Sequence, residues 1–286
     1  MRGSFTRLRQ CPCFAVVWLS GSLVGLSSAW AALGEPRDVA FTAAIDGTEQ
    51  RYVEMLPSGF DPAKEHDVLI ALHGHGSDRW QYVRQPRGEC SGARAVADKY
   101  RMIFIAPDYR AKTSWMGPKA EADLVQIIGK LRREYRVGRV FLVGGSMGGT
   151  AVLTFAALHP DLVAGVSSQN GTANLVEYKL FQDAMAASFG GSKQAVPEEY
   201  KKRSAEFWPD ALTMPIAITA GGKDTLVPPQ SVLRLADALK KRERKVLVIY
   251  RETGGHSTDQ ADTVAALEFV VSTALATGAA KGPGEK

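Results

Sequence analysis

From Pro57 onward the chain alternates short, almost wholly apolar runs with longer segments whose apolar residues recur at helical spacing. The runs at 67–72, 102–106, 140–143, 164–167, 216–220 and 246–250 are too short for helices and apolar enough to be covered on both faces. Helices are predicted between them at 91–99, 119–135, 147–158, 228–240 and 260–274. Strands separated by crossover helices pair in parallel, so this order predicts an α/β fold, a mostly parallel central sheet with helices on both faces.

Two places depart from the rhythm. At the start, alternating patterns at 39–45 and 51–56 flank Asp46-Gly47, residue types that tolerate positive φ, and predict an N-terminal antiparallel hairpin. Later, 170–214 shows helical character at 174–189 and 197–207 but no strand, and is read as a cap-like insertion over one end of the sheet.

The run at 140–143 leads into Gly144-Gly145-Ser146-Met147-Gly148, after which a helix pattern begins. This is G-x-S-x-G, in which a serine sits on a sharp strand-to-helix turn that lifts its hydroxyl off the sheet edge. Glycines flank it because strand and helix backbones come too close for a Cβ. A phosphate-cradling loop is the competing reading, but Walker-type spacing and its lysine are missing.

A serine hydroxyl needs a base to take its proton and a carboxylate to orient that base. Only His159 and His256 follow Ser146. His159 stands at a predicted helix end, where it suits the helix dipole. His256, in a glycine-bearing loop just past the last strand, is the candidate base. Asp224, past the strand end at 220 and ahead of a helix, is the candidate acid; Asp210 precedes its strand and Asp259 is placed to cap the last helix.

The oxyanion of such a reaction needs oriented N–H donors. Met147, the residue after the nucleophile, supplies one. The loop Leu72-His73-Gly74-His75-Gly76 supplies the other, assigned to His75. His73 and His75 also admit a metal reading if they lie two apart on a strand, but no third ligand is evident nearby. Trp115 is read as a substrate-binding residue that stacks on a sugar ring or an aromatic acyl group, or else as a hydrophobic lid contact. Gln169, just past a strand end, is read as lining the site.

Composition fits this picture. Of 286 residues 45% are hydrophobic, enough for one large core. Residues 1–31, with Arg2, Arg7 and Arg9 ahead of an apolar stretch and Ala29-Trp30-Ala31, read as a secretory signal peptide, leaving a catalytic domain at 32–276 and a flexible tail at 277–286. The expected localisation is therefore secreted or periplasmic, with no membrane association after cleavage. Without those three arginines the formal charge falls from +5 to +2, and no basic cluster points to nucleic acid. Cys90 alone remains after cleavage and cannot form an internal disulfide.

Over about 52–271 the chain resembles the α/β-hydrolase superfamily, and more narrowly the secreted esterases grouped with feruloyl esterases, acetylxylan esterases and polyhydroxybutyrate depolymerases. The residues that carry the likeness are the His73-Gly74-His75-Gly76 loop, Ala106-Pro107-Asp108, the Ser146 elbow, Gly222-Lys223-Asp224 and Gly255-His256-Ser257. The unpaired Cys90 departs from the disulfide-bearing members. The resemblance implies a serine esterase without cofactor, acting on small or polysaccharide-linked esters. Two alternatives are a peptidase of the prolyl oligopeptidase type, for which the chain lacks the length of a propeller, and a non-catalytic binding protein on a hydrolase scaffold.

Overall fold

The computed structural model describes residues 33–278; the expected signal peptide and most of the expected tail lie outside the described residues. The strands are β1 (Arg37–Thr42), β2 (Glu49–Met55), β3 (His66–Leu72), β4 (Ile103–Pro107), β5 (Val137–Gly145), β6 (Gly165–Gln169), β7 (Ile216–Gly221) and β8 (Val246–Arg251). The helices are α1 (Gln81–Arg84), α2 (Gly88–Lys99), α3 (Pro118–Glu134), α4 (Met147–Leu158), α5 (Gln182–Phe189), α6 (Pro197–Lys202), α7 (Gln230–Lys240) and α8 (Gln260–Ala276).

All eight strands form one sheet in the order β1-β2-β4-β3-β5-β6-β7-β8. The pairs β1–β2 and β2–β4 are antiparallel, and every pair from β4 to β8 is parallel. The chain steps from β3 outward to β4, then returns across β3 to β5, so the winding direction reverses between β3 and β5. In an open α/β sheet the crevice at the C-terminal ends of strands at such a reversal is where ligands bind.

Alternation along the strands divides the core in two. Val68, Ile70 and Leu72 face one side with Leu124 of α3, Phe155 of α4 and Leu235 of α7. Leu69, Ala71, Phe141 and Val143 face the other with Val96 of α2 and Val270 of α8. Both faces are covered, which is why these strands read as unbroken apolar runs. Ten of the twelve residues of α4 are buried, so the helix after Ser146 is held by packing around nearly its whole circumference. Cys90 is a free, buried thiol on α2, which burial pushes up to about 11.

The structure modifies some local expectations. The hairpin connection spans Ala43 to Thr48 rather than two residues. Gly47 takes φ +72°, while Asp46 instead accepts hydrogen bonds from Thr48 N–H and Oγ1 and from Arg110. In the insertion, helix begins only at Gln182 because Asn174 Oδ1 accepts from Val176 and Glu177 N–H, a local turn that competes with helix. The helix expected at 197–207 stops at Lys202; Ser204 then accepts from Leu175 N–H and donates to Tyr200 O, and a short 3₁₀ turn follows at Ala205–Phe207.

Candidate active site

Ser146 lies between β5 and α4 with φ +59° and ψ −119°, outside the regions a side-chain-bearing residue normally adopts. Such a conformation costs on the order of 1–3 kcal/mol and persists only where its surroundings enforce it. Here Ser146 N–H donates to Gln169 O at 2.8 Å and Ser146 O accepts from Thr150 N at 3.0 Å. The following turn is pressed against β3: a Cβ on Gly148 would stand 2.0 Å from Leu72 O.

The loops after β7 and β8 carry the other two residues. They touch so closely that a Cβ on Gly221 would fall 2.2 Å from Gly255 O, and Lys223 N–H donates to Gly254 O at 2.8 Å. This contact places His256 Nδ1 2.6 Å from Asp224 Oδ2 and His256 Nε2 2.8 Å from Ser146 Oγ. Asp224 Oδ1 accepts from Leu226 and Val227 N–H at 3.0 and 2.9 Å, so both carboxylate oxygens are engaged. Because a carboxylate only accepts, His256 donates through Nδ1, which leaves Nε2 as acceptor for the Ser146 hydroxyl. The Asp224 side chain is 1% exposed and the His256 ring 23%, so the relay runs from the interior to an open rim.

Asp210, the first rival acid, pairs with Arg242, and Asp259 caps α8 by accepting from Asp262 N–H. His159 ends α4 at the opposite end from Ser146 and meets Glu121 Oε1 at 2.9 Å.

The loop after β3 reaches Ser146, with a Cβ on Gly74 falling 3.7 Å from Ser146 Cβ. Its shape is held by four bonds. Gly74 N–H donates to Gln81 Oε1 at 3.0 Å, Gly76 N–H to Lys112 O at 2.8 Å, Ser77 N–H to Gly74 O at 3.2 Å, and Tyr109 Oη to His73 O at 2.5 Å. Among the described residues the His75 N–H donates to no protein acceptor, and the Met147 N–H opens α4, ahead of the first turn closed by Thr150 N–H on Ser146 O. Two such donors, one next to Ser146 in the chain and one in the loop packed beside it, suit a developing oxyanion.

The premise for a metal pair changes, since β3 ends at Leu72 and His73 and His75 lie in a loop. Both ring nitrogens of buried His73 meet carbonyls, of Gly74 at 2.8 Å and Asp108 at 3.0 Å, and burial pushes its pKa down. His75 Nδ1 accepts from Trp115 Nε1 at 3.2 Å, and its ring centroid lies 4.2 Å from that of Phe181.

Two assignments are corrected. Trp115 is 0% exposed and packs among His75, Tyr178 and Phe181, so it offers no face to a sugar or an aromatic acyl group. It is the hydrophobic contact between the insertion and the His75 loop. Gln169 is also 0% exposed; its carbonyl holds Ser146 N–H, and its Nε2 donates to Thr263 Oγ1 at 3.2 Å. It positions the elbow and does not line the site. Sequence reasoning did not find Gln81, Tyr109 or Phe181. Nothing in their local patterns separates them from their neighbours in the chain.

A family model described as the prolyl oligopeptidase family matches residues 111–272, more than half of the chain and a stretch that contains Ser146, Asp224 and His256. The chain belongs to the prolyl oligopeptidase family. As a member of it, the protein is a serine hydrolase with the α/β-hydrolase fold. Among curated proteins, epoxide hydrolase B of Mycobacterium tuberculosis is 28% identical over 106 residues, covering 37% of this chain and 29% of that protein. The match thus spans less than a third of its relative's length.

Solved structures show the same fold at low identity. FphF, a fluorophosphonate-binding serine hydrolase of Staphylococcus aureus, aligns with TM-score 0.66 and 18% identity over 85% of this chain and 99% of its own. S-formylglutathione hydrolase of the same organism aligns at 0.61 and 18%, over 84% and 98%. Acylaminoacyl peptidase of Pyrococcus horikoshii aligns at 0.63 and 18%, over 89% of this chain but 43% of that one.

Proposed function

We propose that this serine hydrolase cleaves carboxylic esters through an acyl-enzyme, with Ser146 as nucleophile, His256 as general base and acid, Asp224 as the orienting carboxylate, and the N–H groups of His75 and Met147 as the oxyanion hole. The observation that carries this reading is the continuous relay from Asp224 Oδ2 through His256 to Ser146 Oγ, at 2.6 and 2.8 Å. Ser146 Oγ attacks the ester carbonyl as its proton passes to His256 Nε2. Asp224 keeps Nδ1 protonated and stabilises the imidazolium that forms, while the two amides hold the negative oxygen. Collapse expels the alcohol, which takes the proton from Nε2. Water then attacks the acyl-enzyme with His256 again as base, releasing the acid.

Ester cleavage is supported by the fold shared with S-formylglutathione hydrolase. The earlier resemblance to secreted esterases points to acetyl or feruloyl esters of plant polysaccharides as substrates and to export through residues 1–31. The second reading, peptide hydrolysis, is favoured by the family match itself.

A fluorophosphonate probe tests the nucleophile: labelling of the folded protein that disappears in Ser146→Ala is expected, and no labelling of folded wild type sinks the proposal in favour of a binding protein. A panel of p-nitrophenyl esters and acetylated and feruloylated sugars, run beside peptide p-nitroanilides, decides between the substrate classes. Faster turnover of the anilides overturns the ester assignment.

A further inference from the structure

A second carboxylate lies beside the elbow that the relay does not use. Glu89, in the first turn of α2, has a side chain only 13% exposed, and its Oε1 stands 3.5 Å from the position a Cβ on Gly145 would take, one residue before Ser146. Among the described residues no donor hydrogen-bonds to it. The nearest cation is Arg87 Nη2 at 3.5 Å, on a side chain 52% exposed.

The carboxylate is fixed there by close packing. A Cβ on Gly88 would fall 2.5 Å from Gln260 N, and one on Gly92 2.7 Å from Thr263 Cβ, so the start of α2 is seated against the start of α8, a few residues after His256. Burial raises the carboxyl's pKa, and the charges of Arg87 and His256 act against that rise. An acid at a helix start gains from the dipole while exposed to water, and that benefit calls for no burial.

We propose that Glu89 is a positioning residue that helps hold positive charge on His256 through space, while Asp224 orients the ring through its hydrogen bond. This rests on the assignment of His256 as the base. During acylation and deacylation His256 becomes an imidazolium. A fixed negative charge in a poorly solvated place favours that form without competing for either ring nitrogen. The other groups around the pair are Asp224 after β7, Arg87, Tyr82 and Cys90 beside Glu89, and the Arg251–Asp262 ion pair joining β8 to α8.

The test compares wild type with Glu89→Gln, Glu89→Asp and Arg87→Gln. It uses the pH dependence of kcat/KM for p-nitrophenyl acetate and an NMR titration of the His256 ring. In Glu89→Gln the acid limb and the ring's protonation midpoint are expected to move down together by about 0.5–1 pH unit, with kcat/KM about 3–10-fold lower. Glu89→Asp restores most of both, and Arg87→Gln, which removes the cation screening Glu89, moves them up. A folded Glu89→Gln whose midpoint and acid limb stay at the wild-type values overturns the proposal. If that variant does not fold, an unmoved midpoint in Arg87→Gln does so. The NMR titration needs no turnover, so a shifted midpoint in a protein without esterase activity sinks the ester assignment and leaves the Glu89 coupling standing.

Discussion

Gly148 and Leu72 sit in such close contact that the Cβ of any other residue at 148 would stand 2.0 Å from the Leu72 carbonyl oxygen. That contact fixes how α4 leaves β5 beside β3, and so where Ser146 points. Gly148→Ala must push the two backbones apart. It is expected to lose at least about 3 kcal/mol and, at about 2–4 °C per kcal/mol for a domain of this size, to unfold about 6–12 °C lower. Thermal unfolding checks the first effect and fluorophosphonate labelling the accompanying loss of reactivity. A melting temperature equal to wild type means that α4 has room to move.

The relay predicts an unequal ranking of losses. Ser146→Ala and His256→Ala are each expected to lower kcat by roughly 10⁴–10⁶, and Asp224→Asn, which lets the ring adopt the wrong tautomer, by about 10⁴. The double variant Ser146→Ala/His256→Ala loses little beyond either single change, because the two act as one unit. Steady-state kinetics on p-nitrophenyl acetate decide this. Additive losses contradict a shared proton path.

Gln81 is 3% exposed and accepts the Gly74 N–H at 3.0 Å, which holds the loop that carries the His75 amide. In Gln81→Leu that N–H is left without its partner, at a cost of about 1–3 kcal/mol. Because an oxyanion donor acts in the transition state, kcat is expected to fall about 10–100-fold while KM changes little. A rise in KM with kcat intact shows instead that the loop binds ground-state substrate.

Glu121 contributes to stability against acid. Burial opposes its ionisation, but hydrogen bonds from His159 and Arg203 and the Arg203 charge outweigh burial and bring its pKa from 4.5 to about 2. A depressed carboxyl stabilises the fold above its unfolded pKa, and that contribution disappears as pH falls from about 4.5 through about 2. Glu121→Gln is therefore expected to be less stable than wild type at pH 7 and to converge with it towards pH 2. Denaturant unfolding at several pH values measures both. A constant difference between the two proteins across that range contradicts the assignment.

Ser146, Asp224 and His256 were legible in the sequence because each follows an apolar run and precedes a helix, and because the required order leaves few candidates. The strands were legible for a related reason: burial on both faces leaves no room for polar residues. The insertion was harder. Its helices are cut short by side-chain-to-backbone bonds at Asn174 and Ser204, which local helical character does not reveal. Trp115 and Gln169 show the other limit. Gln169 ends β6 and Trp115 lies in the loop after β4, but whether such a side chain turns towards solvent or inward depends on what packs against it. Here Tyr178 and Phe181 close over Trp115, and Thr263 takes the Gln169 amide.

The alternation of apolar runs and helices, with glycines where backbones must touch, determined by itself that the chain forms a parallel sheet with a serine on its rim, since those are consequences of local sterics and of burying apolar surface. Contacts between segments distant in the chain decided the rest. The loops around Gly221 and Gly255 meet to bring Asp224 onto His256. The Gln81 side chain shapes the loop that carries the His75 amide, and α2 seated on α8 sets Glu89 beside the elbow. Such contacts depend on distances in three dimensions, which neighbouring residues in a sequence do not specify.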